Sequence, residues 1–208
     1  MDVKTAFLNG EIDKEIYIEQ PQGYREGNLV CKLRKSLYGL KQSPRLWNKC
    51  IDTFLLKNNF KRCISDPSIY CQHTSSGIII LGIWVDDIII VATPNLLAEF
   101  KTSLCNEFKM TDQGEISFIL GISVIRDRRN HLIHLHQPRY ISEILTKFNM
   151  SNCNPSSTPA DISVKLSKSD DIISKSSENI PYRQAVGSLM YLMLATRPDI
   201  AAAVNKVA

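Results

Sequence analysis

The feature that most constrains the fold is an apolar run, residues 78–92, that carries two adjacent aspartates, Asp86 and Asp87, near its middle. A membrane-spanning helix needs roughly 18 or more apolar residues, and an aspartate at mid-span costs roughly 2.5–3.5 kcal/mol. The run is therefore expected to lie in a soluble core, and no membrane is expected among the partners of the chain. Its composition predicts two strands, buried on both faces, that meet in a tight turn at the acid pair.

The acid pair creates an electrostatic problem. Two carboxylates about 4 Å apart repel each other by about 4 kcal/mol at an effective dielectric constant near 20. A bound divalent cation, a neighbouring Lys or Arg, or protonation of one acid would offset this repulsion. Hard oxygen ligands at the turn of a strand suit Mg²⁺ or Mn²⁺. A plain β-turn is the alternative at this point, because aspartate is favoured in turns.

The composition excludes several classes of protein. The chain has 208 residues, of which 44% are hydrophobic and 22% charged, and this rules out a collagen-like, low-complexity or wholly disordered chain. The formal net charge of +4 is compatible with a nucleic-acid partner but does not require one. The six cysteines include no C-x-x-C pair, so neither a zinc module nor a disulfide framework is expected.

The spacing of apolar residues predicts an α+β fold, with helices beside a mostly antiparallel sheet. Short strands are predicted at 15–19, 29–33, 68–73, 78–85, 88–92, 116–125 and 132–135. Helices are predicted after Ser43-Pro44, after Thr93-Pro94, at 139–148, from Tyr182 and after Pro198, with Ser43 and Thr93 as the first two N-caps. Residues 151–181 contain nine serines and little periodicity, which predicts a linker.

A third acid and a basic segment precede the acid pair. Asp2 stands before a short apolar piece that ends at Gly10. From Lys32 to Arg45 the chain has five basic residues and no acid. The order along the chain is therefore an acid, a basic turn that contains glycine, a helix, and an acid pair on a hairpin.

Five segments of the chain resemble those of one family, the reverse transcriptases of copia-type long-terminal-repeat retrotransposons. Residues 2–10, 36–44 and 84–87 resemble the family's motifs A, B and C. Residues 118–122 and 182–200 also match the family, in the same order, so the resemblance covers essentially the whole chain.

The resemblance implies that Asp2, Asp86 and Asp87 are catalytic and metal-binding. By motif position, Asp2 and Asp86 would hold two Mg²⁺ (or Mn²⁺) ions, with Asp87 in support. The reaction would be the in-line attack of a primer 3′-hydroxyl on the α-phosphate of a deoxynucleoside triphosphate. Phosphoryl transfer needs mainly positioning and charge compensation, which fits carboxylates and metal ions without a Ser or Cys nucleophile.

The resemblance also implies nucleotide contacts. Phe7 falls where a ring blocks the ribose 2′-hydroxyl, and an ordinary core residue is the alternative. Tyr38 and Gly39 would line the nucleotide and template side, because glycine allows close approach of the backbone. Lys41 would contact the nucleotide phosphates, with a solvated surface lysine as the alternative.

Further residues are implied in contacts with the primer and template. Arg45, Trp84 and Val85 would touch nucleic acid, and Trp84 stands where the family usually has tyrosine. A solvated surface position is the alternative for Arg45. The primer grip, a hairpin that holds the primer end, would consist of Ile119, Leu120 and Gly121, with a plain buried strand as the alternative.

By this resemblance the expected fold is an antiparallel polymerase palm with helices on one face, followed by a small, thumb-like helical region. The palm would span 1–125, a primer-grip strand and helix near the thumb 126–150, the Ser-rich linker 151–181, and a C-terminal helical segment 182–208. The fingers expected before Asp2 and the ribonuclease H domain expected after the last helix are missing from the sequence. The chain is thus expected to be a fragment of a Pol polyprotein, and to show no primer extension alone because the fingers position the substrates.

The expected function is that of an RNA-directed DNA polymerase. Its partners would be an RNA or DNA template-primer, deoxynucleoside triphosphates, and the rest of the Pol polyprotein, namely fingers, ribonuclease H and integrase. It would work in cytoplasmic retroelement particles, whose products reach the nucleus. One alternative is a non-catalytic retroelement remnant that binds nucleic acid weakly. Another is a palm-like nucleotidyl cyclase or metal-dependent phosphohydrolase, which Phe7 and the turn at 38–44 disfavour.

Overall fold

The computed structural model describes residues 1–161, 163 and 180–208. Much of the Ser-rich linker predicted at 151–181 therefore lies outside the described residues. The chain divides into two compact units, Met1–Glu115 and Ile116–Ala208. The first unit ends before residue 125, where the palm was expected to end, and the hairpin of the predicted primer grip belongs to the second unit.

The strands of the first unit are β1 (Asp2–Val3), β2 (Tyr17–Glu19), β3 (Val30–Lys32), β4 (Lys61–Arg62), β5 (Ile69–Thr74), β6 (Gly77–Trp84), β7 (Asp87–Ala92) and β8 (Met110–Thr111). Six of them form an antiparallel sheet in the order β4-β5-β6-β7-β1-β8. Strands β2 and β3 pair only with each other. The helices are α1 (Ser43–Lys57) and α2 (Pro94–Glu107), and the hairpin predicted across the acid pair is formed by β6 and β7.

The core of the first unit lies between one face of the sheet and the two helices. In β6, Ile79 and Leu81 are buried, whereas Ile78 and Ile80 between them are exposed. Successive side chains of a strand point to opposite faces, so one face of β6 is packed and the other is open within this unit. The expectation that this run is buried on both faces is wrong here. The core is formed by sheet and helix residues, chiefly Val3, Trp47, Ile51, Leu55, Tyr70, Leu81, Ile88, Phe100 and Leu104.

The two helices begin close to their predicted starts. Thr93 is the N-cap of α2, as predicted, and proline follows it at the start of the helix. The N-cap of α1 is Gln42, one residue before the predicted Ser43. The Ser43 hydroxyl instead donates a hydrogen bond to the carbonyl of Leu37, 2.5 Å away. At the other end, Asn59 has a φ of 63°, a left-handed conformation that Asn tolerates and that terminates the helix.

Within its described residues the second unit contains three strands, β9 (Phe118–Ile119), β10 (Ile122–Asp127) and β11 (Leu132–His136), and three α-helices, α3 (Pro138–Lys147), α4 (Tyr182–Ala195) and α5 (Ala201–Val207). The strands form a sheet in the order β11-β10-β9, and a 3-10 helix, Pro198–Ile200, precedes α5. The single strand predicted at 116–125 is wrong, because the chain reverses at Leu120 and Gly121 and forms a hairpin. Helices and antiparallel sheets together make the α+β fold that was predicted.

In the part of the chain that the structure describes, no helix is both long enough and apolar enough to span a membrane.

Candidate active site

Asp2 and Asp87 lie directly opposite each other on the neighbouring strands β1 and β7. The backbone N–H of Val3 donates to the carbonyl of Asp86 at 2.7 Å, and that of Ile88 to the carbonyl of Met1 at 2.9 Å. Hydrogen bonds that flank a residue pair in this way mark the non-hydrogen-bonded type of pair, in which the two side chains approach most closely on one face. Val3 and Ile88 point into the core. Asp2 and Asp87 therefore occupy the face of the sheet turned away from α1 and α2.

The close approach of Asp2 and Asp87 is electrostatically unfavourable. Like charges directly opposite each other on paired strands destabilise a sheet. Among the described residues, no Lys, Arg or His forms an ion pair with Asp2, Asp86 or Asp87. Repulsion between carboxylates at opposed strand positions favours binding of a cation at this face.

Asp86 lies in the two-residue loop that joins β6 to β7, closed by the pair of Trp84 and Asp87. Val85, the first loop residue, has a φ of 51°, and the second has a negative φ, as in a type II′ turn. A β-branched residue is strained in that region, at a cost of roughly 1–3 kcal/mol. The buried indole N–H of Trp47 in α1 donates to the carbonyl of Val85 at 2.8 Å and holds the loop in place.

The two carboxylate oxygens of Asp86 have different surroundings. The hydroxyl of Tyr38 donates a hydrogen bond of 2.8 Å to Asp86 Oδ2. Asp86 Oδ1 is buried and has no hydrogen-bond partner among the described residues. Partial burial of the phenol, and then the hydrogen bond to Asp86, raise the pKa of Tyr38 above its usual value. Tyr38 therefore keeps its proton and remains a donor at neutral pH.

Phe7 and Tyr38, both predicted to contact the nucleotide, pack against each other with ring centroids 4.5 Å apart. The predicted motifs A and B, which contain them, meet at Ser36. The Ser36 amide donates to the carbonyl of Gly10 at 2.9 Å, and its hydroxyl donates to the carbonyl of Phe7. A side chain at Gly10 would bring its Cβ within 2.9 Å of Leu46 Cβ, so only glycine fits between this loop and α1.

Sequence reasoning did not identify Gly10, Ser36 and Trp47 as positioning residues. Each lies in or next to a predicted motif, and each is completely or almost completely buried. The signal available in the sequence was the presence of small residues, Gly10 and Ser36, inside segments assigned to the site. The hydrogen bond from Trp47 to Val85 joins residues 38 positions apart, and no local pattern predicts such a contact.

The other residues of the first unit that were predicted to contact nucleotide or nucleic acid lie near Tyr38 or next to the loop that holds Asp86. Gly39 has a φ of 95°, which requires glycine for an unstrained turn. Lys41 and Arg45 line a shallow cavity together with Asp13. The Arg45 guanidinium lies 2.5 Å from Asp13, and this hydrogen bond lowers the pKa of the Asp13 carboxyl. Arg45 is thus engaged with an acid, whereas the side chain of Trp84 is exposed.

Of the predicted primer-grip residues, Ile119 ends strand β9, and Leu120 and Gly121 form the turn between β9 and β10 in the second unit. Leu120 and Gly121 have φ values of 48° and 80°, the pattern of a type I′ hairpin turn. The hydroxyl of Tyr191 in α4 donates to the carbonyl of Leu120 at 2.7 Å. The ring of Tyr191 packs edge-on against that of Tyr140 in α3, with centroids 4.9 Å apart. Helices α3 and α4 therefore support this turn.

The three acids suit a divalent cation by their chemistry. Carboxylate oxygens are the ligands that Mg²⁺ prefers, and the buried, unpartnered Oδ1 of Asp86 is an acceptor that a cation would satisfy. Asp2 and Asp87 supply two further carboxylates on one face. Within the described residues, no group of three or more His, Cys, Asp or Glu side chains is already arranged to hold a metal ion. The three carboxylates are therefore suitable ligands for a cation by their chemistry, but their side chains are not yet arranged around a common metal position.

Comparison with known proteins agrees with the family resemblance of the sequence. Residues 1–162 match the family model described as reverse transcriptase (RNA-dependent DNA polymerase). The retrovirus-related Pol polyprotein from transposon TNT 1-94 of Nicotiana tabacum is 44% identical over 100% of this chain, which spans 16% of that relative. The corresponding polyprotein from transposon RE1 of Arabidopsis thaliana is 39% identical over 100% of this chain, which spans 14% of it.

A smaller relative matches in the same way. A protein of transposon Ty5-1 from Saccharomyces cerevisiae is 33% identical over 96% of this chain, which spans 65% of that relative. No solved structure matches the chain significantly. The family-model match covers most of the chain, and the relatives align with nearly all of it. The chain belongs to the reverse transcriptase (RNA-dependent DNA polymerase) family, in the group carried by the Pol polyproteins of copia-type retrotransposons.

Proposed function

We propose that the first unit is the palm of an RNA-directed DNA polymerase and that Asp2, Asp86 and Asp87 are its catalytic acids. The observation that carries the proposal is the pairing of Asp2 with Asp87 beside the loop that holds Asp86. Asp2, which is distant along the chain from Asp86 and Asp87, thereby lies on the strand that adjoins their hairpin. No Ser or Cys nucleophile is needed, since nucleotidyl transfer requires mainly charge compensation and positioning.

Asp2 and Asp86 would hold two divalent cations, Mg²⁺ or Mn²⁺, with Asp87 in support. Cations bound there would activate a primer 3′-hydroxyl and neutralise charge on the pyrophosphate leaving group. The chain's own contribution is to supply negative charge at a fixed place. Trp47 holds the carbonyl of Val85, and the strand pairing fixes the backbone of Asp2 opposite Asp87.

The substrates proposed are a template-primer and a deoxynucleoside triphosphate. Phe7 would exclude a ribose 2′-hydroxyl, and its position is supported by the packing of Tyr38 and by the hydrogen bond that Ser36 donates to its carbonyl. Gly39 and Lys41 would complete the nucleotide side. Template and primer contacts are proposed for Arg45, Trp84, Val85, Ile119, Leu120 and Gly121.

The larger context is proposed from the relatives. The plant relatives are Pol polyproteins, of which this chain spans about one sixth or less. We propose fingers, ribonuclease H and integrase as its partners, with the helices of the second unit as a thumb-like region. The proposed location is cytoplasmic retroelement particles, whose products reach the nucleus.

Mn²⁺ binding by the 208-residue chain tests the site independently of any activity. Electron paramagnetic resonance of free Mn²⁺ should show saturable binding by the chain, and Asp2→Asn and Asp86→Asn should each abolish it. Glu99→Gln is the matched control, because Glu99 is an exposed acid on α2 and its replacement also removes one charge. Mn²⁺ binding that both aspartate variants retain would refute the proposed site.

Primer extension tests the reaction. The chain can replace the region of the TNT 1-94 polyprotein with which it aligns, and the hybrid can be assayed on a homopolymer RNA template with Mg²⁺. The hybrid should extend the primer, and Asp86→Asn should abolish extension while Glu99→Gln leaves it unchanged. A hybrid that binds nucleic acid but does not extend a primer, while the parent polyprotein does, would favour the non-catalytic remnant.

A further inference from the structure

The unequal surroundings of the two oxygens of Asp86 point to a residue that positions this acid. Oδ2 accepts the hydrogen bond from Tyr38, whereas Oδ1 is buried and lacks a partner among the described residues. A carboxylate held at one oxygen cannot rotate freely about its Cβ–Cγ bond. The hydrogen bond from Tyr38 therefore restrains the orientation of the unpartnered oxygen Oδ1.

Tyr38 is itself held in place from two sides. Its ring packs at 4.5 Å on that of Phe7, and Phe7 is fixed through the hydrogen bond from the buried Ser36 hydroxyl to its carbonyl. Gly39, directly after it, has a φ of 95° that sets the direction of the loop. About half of the surface of Tyr38 remains exposed, so its ring is accessible to a ligand.

We propose that Tyr38 is a positioning residue for Asp86, whose phenol holds Oδ2 so that Oδ1 is presented to a divalent cation. Outer partners of a metal ligand usually fix its orientation in this way, and their loss typically weakens metal binding about 10–100-fold. Because the Tyr38 ring also packs on Phe7, the same residue connects the nucleotide side of the site with a metal ligand. The inference rests on the proposed function, since it takes Asp86 as a metal ligand.

The test is the Mn²⁺ affinity of Tyr38→Phe in the 208-residue chain. This variant removes the hydroxyl and keeps the ring that packs on Phe7. We expect the dissociation constant for Mn²⁺ to rise about tenfold or more. The thermal unfolding midpoint without metal should fall by no more than the loss of one partly exposed hydrogen bond accounts for, whereas a purely structural role would lower the midpoint and leave the affinity unchanged.

Tyr17→Phe is the matched control. Tyr17 is as exposed as Tyr38, each at 53%, and its hydroxyl also donates to a carboxylate, that of Glu15. Its replacement should leave the Mn²⁺ affinity unchanged. An unchanged affinity in Tyr38→Phe would overturn the inference, and so would a higher affinity, which would mean that the phenol competes with the cation.

The two proposals fail in different ways. If Asp86→Asn abolishes Mn²⁺ binding and Tyr38→Phe does not weaken it, the metal site stands and the role of Tyr38 is refuted. If Asp86→Asn leaves Mn²⁺ binding intact, the proposed function fails first, and the inference about Tyr38 falls with it.

Discussion

The hydroxyl of Tyr191 in α4 donates a 2.7 Å hydrogen bond to the carbonyl of Leu120, which lies 71 residues earlier in the turn between β9 and β10. Leu120 has a φ of 48°, a left-handed conformation that is unfavourable for a leucine. The contact thus stabilises a strained turn from outside its own hairpin. Through this contact, the segment near the C-terminus supports the residues proposed to grip the primer.

Removal of that hydrogen bond should loosen the turn. Tyr191→Phe keeps the ring against Tyr140 and should lower the free energy of unfolding by about 0.5–1.5 kcal/mol. Hydrogen exchange at the amides of Leu120 and Gly121, followed by mass spectrometry, should become faster. Tyr182→Phe is the control, since that hydroxyl also donates to a backbone carbonyl, that of Val207. Equal exchange at the turn in both variants would contradict this account.

A methyl group at Gly121 should lower the free energy of unfolding for two separable reasons. Gly121 has a φ of 80°, where an L-residue is strained by roughly 1–2 kcal/mol, and a Cβ there would lie 2.9 Å from the Tyr191 hydroxyl. Gly114 is the matched control, with a φ of 75° and nothing within 4 Å of its Cβ position. Gly121→Ala should therefore lower the free energy of unfolding by about 0.5–1.5 kcal/mol more than Gly114→Ala, because the Tyr191 hydrogen bond is also lost.

A double mutant separates these costs. In a Tyr191→Phe background the hydroxyl is gone, and the next atom of the ring lies 4.0 Å from the Cβ position. Gly121→Ala should then cost no more than Gly114→Ala in the same background, as measured by denaturant unfolding. A persistent extra cost would show that the backbone, and not Tyr191, resists the methyl group.

The turns also mark the limit of what the sequence could predict. The hairpin at the acid pair can be predicted from the sequence because two charged residues interrupt an apolar run. The antiparallel pairing of β6 with β7 confirms this prediction. The turn at Leu120 cannot be predicted in this way, because the apolar run continues through it and only Gly121 suggests a break in the strand. The sequence therefore predicts one long strand where the chain forms two.

In the candidate site, too, features set by neighbouring residues can be predicted from the sequence, whereas contacts between residues far apart in the chain cannot. The convergence of Asp2 with the acid pair was expected only through the resemblance to a family, because no periodicity relates residues so far apart, and the direct pairing of Asp2 with Asp87 was not predicted. The hydrogen bond from Tyr38 to Asp86 spans 48 residues and was not predicted. Local rules predict helix starts and the hairpin at the acid pair, whereas the contacts that position the acids depend on tertiary packing.

The strained Val85 in the loop that holds Asp86 leads to the prediction that a glycine substitution stabilises the fold, whereas glycine within a strand usually destabilises it. Val85 has a φ of 51°, where glycine is favoured at the first position of a type II′ turn. Val85→Gly should raise the free energy of unfolding by about 1 kcal/mol, since relief of strain exceeds the added entropy of the unfolded chain. Val91→Gly is the control, because Val91 is an exposed valine within strand β7, and it should be destabilising. Denaturant unfolding that finds both variants destabilised would contradict the assigned strain.

Asp112, which follows β8 beside the strand that carries Asp2, gives a prediction about pH. The Lys101 ammonium, 2.8 Å from its carboxylate, and then the backbone N–H of Gly114 hold the pKa of Asp112 below its usual value. A carboxyl with a lower pKa in the folded than in the unfolded chain stabilises the fold above the unfolded pKa, near 3.9. That stabilisation is lost as the pH falls through the lower, folded value.

Asp112→Asn should therefore lower the thermal unfolding midpoint near neutral pH. The carboxylate is half exposed, so the effect should be small, about 1–2 °C. The difference from the unmodified chain should shrink as the pH falls from about 5 to about 2, because both proteins are then uncharged at this position. Glu99→Gln, which removes an exposed acid from α2, should show no such convergence. A difference between Asp112→Asn and the unmodified chain that stays constant down to pH about 2 would show that the side chain acts through packing and not through its charge.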